Sequence, residues 1–425
     1  MWKSDRWKVI LLNIFLTLLI LGIVGALGVV MLRVRQQTME HDEQLSEMYV
    51  QQQQQQTEAR QESVAVIQAE YDKDMDTVAK YLPGIVCWGD SLTLGSAGNT
   101  SYPSVLKTYL DTYFCDIYDF RSTIPNAEEF SRLNWDEYKV SVPVVNMGAG
   151  PEDTYTILGR SGAVPFVLHR GIVIPADNTV PVQVQLISQS GQGVKPLLGG
   201  NAGVNEVTIA GIAGTLSLDS ASRNRYYFTR SEAGEETSVP AGTPIETAAT
   251  DMYRDYIHVV WLGTYGNYKN AEDLVAQIKA LLSRQAQNPE RFIVLGVCGR
   301  EKIQYSASRM DAIDTAMMQA FGSRYINVRK YLIEDGLSDA GITPSKKDIN
   351  NIVAQKVPDS FTTASSQVEL NGKAFTLIGK LVYDRMESLG YFDEVFDELS
   401  IRETMKEILK KDPGYFDRII TNSLK

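Results

Sequence analysis

The sequence predicts an α/β fold: a parallel sheet covered by helices on both faces, interrupted by an antiparallel β module and preceded by a membrane-spanning helix and a helical stalk. Three observations carry this. Five continuous apolar runs alternate with helix-length amphipathic stretches after residue 83, the pattern of strands buried on both faces. One long segment in their midst has turn signals but no helical period. The first 32 residues contain an uncharged run of 24.

That run, Val9 to Leu32, is long enough to cross a hydrocarbon core of about 30 Å at about 1.5 Å per residue. It is too long for a signal-peptide core, and no small-residue cleavage site follows, so it reads as an uncleaved anchor. Lys3, Arg6 and Lys8 precede it and Arg33 and Arg35 follow, which leans toward residues 1–8 as a cytoplasmic tail and the bulk of the chain as extracytoplasmic. Residues 33–82 read as a stalk with a glutamine run from Gln51 to Gln56, reaching on the order of 70 Å if helical throughout. Ile67, Tyr71, Met75, Val78 and Leu82 form a helical stripe, either a coiled-coil seam or a face packed on the next domain. Gly22 and Ala26 have a spacing that pairs membrane helices, so a homo-oligomer through anchor and stalk is an alternative to a monomer.

Strands are expected at "GIVCW" from 84, "PVVNM" from 143, "YIHVVWL" from 256, "RFIVLGVC" from 291 and "RYINV" from 324, with helices near 102–113, 270–285, 305–320 and 371–389. The α/β domain therefore comprises 83–163 and 250–395. Between its parts, 164–249 is rich in Val, Thr, Ile and Gly and punctuated by "PADN", "SGQG", "GGNAG" and "PAGTP", as expected of an inserted β-rich module. Residues 396–425 read as a C-terminal helical extension.

Composition excludes some functions. A formal net charge of -11 argues against nucleic acid as a partner, because phosphate neutralisation needs clustered cations. Cys87, Cys115 and Cys298 are odd in number and form no CxxC, so they read as small buried hydrophobes. His41, His169 and His258 are the three histidines. Asp90, Glu152, Asp153 and Glu369 are loop carboxylates without histidine or ligand spacing, read as solvated rather than as a metal site; no metal and no cofactor is expected. Trp88 and Tyr265 are expected to pack in the core or a cleft wall rather than stack on a sugar.

The first strand ends in Gly89-Asp90-Ser91-Leu92, which presents a serine at the carboxyl edge of the sheet. Further on come "VVNMGAGPEDT" at 144, "VVWLGTYGNY" at 259 and "SSQVELNGKAFTLIGKLVYDRM" at 365. With these four landmarks in order, residues 84 to about 390 resemble the SGNH, or GDSL, hydrolase family. The resemblance implies a flavodoxin-like three-layer α/β/α fold, the SGNH-hydrolase fold, with Ser91 at the nucleophile position. It also implies a glycine N–H and an asparagine side chain in the oxyanion hole, and an Asp-x-x-His pair supplying the base. Such chemistry needs a group that takes the serine proton and donors that meet the tetrahedral anion.

Position by position, only the serine remains. Pro151 stands where the glycine is expected and has no N–H; Tyr265 stands at the asparagine, Ser366 at the aspartate and Glu369 at the histidine. Leu370, Asn371, Gly372 and Leu377 still look family-like. The resemblance thus implies a pseudoenzyme that binds a cell-envelope glycan or a protein partner. One alternative is an active envelope esterase acting on carbohydrate or lipid, with Glu369 as base, Asn267 replacing the missing asparagine and Gly148 or Gly150 offering an N–H. A second is a structural spacer or assembly component.

Overall fold

The computed structural model describes residues 3–95, 100–125, 127–130, 133–285, 289–299, 306–363 and 366–424. The chain forms two compact units, residues 1–70 and 71–425. In the first, the chain is the single helix α1 (Lys3–Tyr81), unbroken through the apolar run and the glutamines. Among the described residues it is the one helix long and apolar enough to cross a membrane.

The last turns of α1 belong to the second unit, and their stripe packs on the domain that follows. Tyr71 sets its ring edge-on to Phe120 and Tyr138, with centroids 5.7 Å away in each case. Tyr118 Oη donates to the Asp74 carboxylate. Val78 and Leu82 are buried in the main core. Burying one large apolar side chain contributes about 1.5–3 kcal/mol. A chain starting at residue 84 is therefore expected to be less stable than one starting at residue 66 by on the order of 5 kcal/mol, read from urea midpoints; equal midpoints would make the stripe dispensable.

The central sheet contains β1 (Ile85–Gly89), β2 (Val144–Gly148), β3 (Ile257–Trp261), β4 (Phe292–Leu295) and β5 (Tyr325–Ile326), all parallel, in the order β2-β1-β3-β4-β5. Successive residues point to opposite faces. Cys87, Val259, Trp261, Ile293 and Leu295 meet α3 (Tyr102–Asp111), α7 (Val328–Glu334) and α8 (Gly372–Ser388) on one side. Val86, Trp88, Met147, Val260 and Val294 meet α4 (Thr154–Arg160), α5 (Ala271–Leu282) and α6 (Ala307–Phe321) on the other. This makes three layers. The run "RYINV" is strand for two residues only, because Asn327 accepts from Lys330 N and starts α7. Asn371 caps α8 through Lys373 N and Ala374 N, while its amide donates to Ser360 O and Thr362 O. Leu370 and Leu377 are buried in the main core.

Between β2 and β3 the chain leaves the sheet and forms nine short antiparallel strands from Phe166–Leu168 to Pro244–Glu246. Seven make one sheet and two pair separately. The module has its own core of Phe166, Ile174, Val207, Leu216, Phe228 and Ile245. Ala210 and Gly211, both at positive φ, turn Val207–Ile209 into Ile212–Leu218, the conformation that matches strand twist in a two-residue hairpin loop.

The C-terminal residues form helices Ile401–Lys411 and Tyr415–Ser423, whose Ile401, Phe416 and Ile420 enter the main core. The boundary expected at 395 falls inside helix Asp393–Glu398, where Val395 and Phe396 are buried, so the domain does not end there. Cys87 and Cys298 are buried as expected. Cys115 is only half-buried, with Sγ donating to Val140 O at 3.2 Å.

Candidate functional site

In this strand order the chain reverses direction across the sheet between β1 and β3, the position at whose carboxyl edge open α/β sheets place their ligand-binding loops. The expected site residues lie on these loops and on that of β2. After β1, Asp90 caps the short helix α2 (Ser91–Leu94), its Oδ1 accepting from Leu92 N at 2.9 Å. Ser91 opens α2 and is half-buried. Its Oγ lies 2.9 Å from Tyr265 Oη. Tyr265 is delivered by a tight turn after β3 between Gly263 and Gly266, closed by Gly266 N donating to Gly263 O at 3.2 Å. Both glycines have positive φ, +116° and +78°, which a side chain would resist.

The β2 loop approaches from the other side. A Cβ on Gly150 would stand 2.7 Å from Ser91 Cβ, so only glycine fits there. A Cβ on Gly199, from the inserted module, would stand 2.3 Å from Gly150 O and 2.5 Å from Gly150 N. The module therefore covers the backbone that was to offer an oxyanion donor. Gly148 N–H is already engaged by Asn146 Oδ1 at 2.9 Å. Asn146 also donates to Leu94 O at 3.2 Å, tying β2 to α2. Pro151 is exposed.

Asn267, at φ +64°, does not turn toward Ser91. Its amide donates to Asp153 and its carbonyl accepts from Thr154 Oγ1 and Gln277 Nε2, so it fastens the β3 loop to the start of α4. Glu369 sits on strand Ser366–Leu370, which passes beside α2. It is exposed, and Thr363 Oγ1 reaches its carboxylate at 3.5 Å. The Ser366 side chain lies outside the described residues, although its backbone pairs with Thr363.

Two of the four carboxylates expected in solvent are buried. Asp90 is 1% exposed, and burial pushes its carboxyl up to about 7 despite the Leu92 N–H and the Thr264 hydroxyl, with Glu152 adding repulsion. Glu152 forms a fully buried ion pair with Arg160 at 2.8 Å; burial raises it and Arg160 pulls it back. Asp153 caps α4. Their burial has a physical cause: each short loop leaves the sheet toward a helix start or an arginine, and those donors carry the carboxylates inward. Trp88 is buried with the Arg160 guanidinium 5.6 Å over its ring, a core position.

Of the histidines, His258 belongs to β3 and pairs with Val86, three residues below Gly89, on the order of 10 Å along the strand. Its Nε2–H donates to Tyr253 O at 3.0 Å, and burial pushes its pKa down to about 4. His169 is exposed in the inserted module.

Sequence reasoning did not find Arg160 as the hub of this edge. Besides Glu152, it donates to Met147 O at 2.8 Å, Gly89 O at 3.2 Å and Ala202 O at 3.1 Å, joining the ends of β1 and β2 to the inserted module. The available signal was an arginine eight residues after Glu152 in the otherwise uncharged "TYTILGR". Chemically, the site holds a serine hydroxyl against a phenol, and a neutral phenol is a poor acceptor for the serine proton. No family model, no curated protein and no solved structure matches the chain.

Proposed function

We propose that the chain is a degenerate SGNH, or GDSL, hydrolase relative, held in a membrane by Val9–Leu32 with residues 1–8 cytoplasmic, whose extracytoplasmic domain binds a cell-envelope glycan or protein partner without hydrolysing esters. The observation that supports this most is the 2.9 Å contact between Ser91 Oγ and Tyr265 Oη. A hydroxyl held by a phenol, with the Gly148 N–H engaged by Asn146 and Asn267 turned to Asp153, supports a serine with a poor base and a depleted set of oxyanion donors. Loss of a single donor typically costs about a hundred- to a thousandfold in rate, and general-base catalysis is worth a similar factor.

The test uses the full chain in detergent with p-nitrophenyl acetate. Turnover is expected to match that of Ser91→Ala within twofold. Serine-dependent turnover tenfold or more above the variant would restore the esterase reading.

A further inference from the structure

A second place for a ligand is a cavity whose lining includes none of the residues on the serine, β2 or β3 loops. About 670 Å³ opens between residues 114–121 and 135–140, which lie between α3 and β2 in the chain, and the C-terminal helix Tyr415–Ser423. That volume falls within the roughly 300–1,000 Å³ of small-ligand sites.

The cavity is aromatic below and polar around the rim. Phe120 and Tyr138 lie nearly parallel, 10° apart with centroids at 6.3 Å. The Tyr71 ring edge contacts both, so this part of the wall is braced from behind by α1. Trp135, half-buried, stands beside Tyr138 at 6.2 Å with the Arg121 guanidinium 6.0 Å over its ring. Tyr415 lines the opposite side.

The charges at the rim decide the ligand class. Arg121 pairs with Asp119 at 3.3 Å and Lys139 with Asp136 at 2.9 Å, so both lining cations already have carboxylate partners. Asp116, exposed and also lining the cavity, faces the charge of Lys139, which Asp136 already shares; partial burial still raises its carboxyl. Three carboxylates against two cations disfavour an anionic ligand such as a phosphate or uronate. What the rim does offer is a surplus of acceptors for hydroxyl donors. Flat aromatic rings offer faces for the C–H surface of a pyranose.

We infer that this cavity binds a neutral carbohydrate, with Trp135 as the stacking face and Asp116 as a hydroxyl acceptor. The inference rests on the non-hydrolytic binding reading and gives it a location and a ligand chemistry. The bound sugar would lie against the same segment that grips Tyr71 and Asp74.

The test is a titration of the full chain in detergent micelles with chitotriose, maltotriose, cellotriose and trigalacturonate, and with a pool of decapeptides, followed by tryptophan fluorescence and calorimetry. At least one neutral trisaccharide is expected to bind saturably. Trp135→Ala and the isosteric Asp116→Asn are each expected to weaken it at least tenfold with the near-ultraviolet circular dichroism of the fold retained. Binding that survives both substitutions overturns the placement. Absence of binding by every saccharide, or saturation by trigalacturonate or peptide alone, overturns the neutral-sugar assignment. None of these outcomes touches the non-hydrolytic reading, which falls only to Ser91-dependent ester turnover.

Discussion

Arg160→Met is expected to lower the stability of the folded domain by about 3–5 kcal/mol, the usual cost of breaking a buried ion pair from one side. The arginine side chain is fully buried, and so is that of its partner Glu152. Without the guanidinium, the Glu152 carboxylate is left in the interior with Oε1 already lacking a hydrogen-bond partner. It must then take up a proton or open the loop to water. The carbonyls of Met147, Gly89 and Ala202 lose a donor in the same step. Adding Glu152→Leu removes the stranded charge and is expected to return about half of the loss, with the three carbonyls keeping the remainder. Urea midpoints of the full chain in detergent measure both. An unchanged midpoint for Arg160→Met would mean that the cluster contributes nothing net.

Asp90→Asn is expected to stabilise the protein by about 2–4 kcal/mol at pH 8 and not at all at pH 4. In the unfolded chain Asp90 releases its proton near pH 4, whereas the folded protein retains it up to about pH 7. Asp90 therefore favours the folded state increasingly as pH falls from 7 to 4, and burdens it with a buried charge above 7. Asparagine keeps the Leu92 cap and removes the charge. His258 works in the opposite sense. Unfolded, it takes up a proton below about pH 6.5, but folded it stays neutral down to about 4, so stability falls over that interval. In the unaltered protein the two slopes oppose each other between pH 6.5 and 4. The variant is expected to expose the histidine slope, losing about 3 kcal/mol over that range. Denaturation curves at pH 4, 5, 6, 7 and 8 decide it; parallel curves for the two proteins would refute the Asp90 assignment.

Much of the layered core was legible in the sequence because its signals are local. Apolar runs marked all five strands of the central sheet, and helix-period stretches marked α3, α5, α6 and α8. The β module was visible as Val- and Thr-rich chain cut by Gly and Pro. The stripe ending in Val78 and Leu82 was visible too, but its partner was not, since a stripe states only that a face is apolar. The site was readable as a set of residue types and unreadable as contacts. That Asn267 grips Asp153, and that Asn146 holds Gly148 and Leu94, depends on hydrogen bonds no periodicity encodes.

By itself the sequence determined which residues stand at the carboxyl edge of the sheet: a serine after β1, and a proline, a tyrosine and a glutamate on the elements that follow. It also determined an acidic chain with one uncharged run of membrane length. Only the tertiary structure decided that Tyr265 closes on Ser91 across 174 residues, that Gly199 of the module seats on Gly150, and that Asp90 and Glu152 are buried rather than solvated. The reason is physical. Hydrophobic period and turn chemistry act over a few residues and are written in order along the chain. The state of a serine hydroxyl or a carboxylate depends on which distant atoms come within about 3 Å of it.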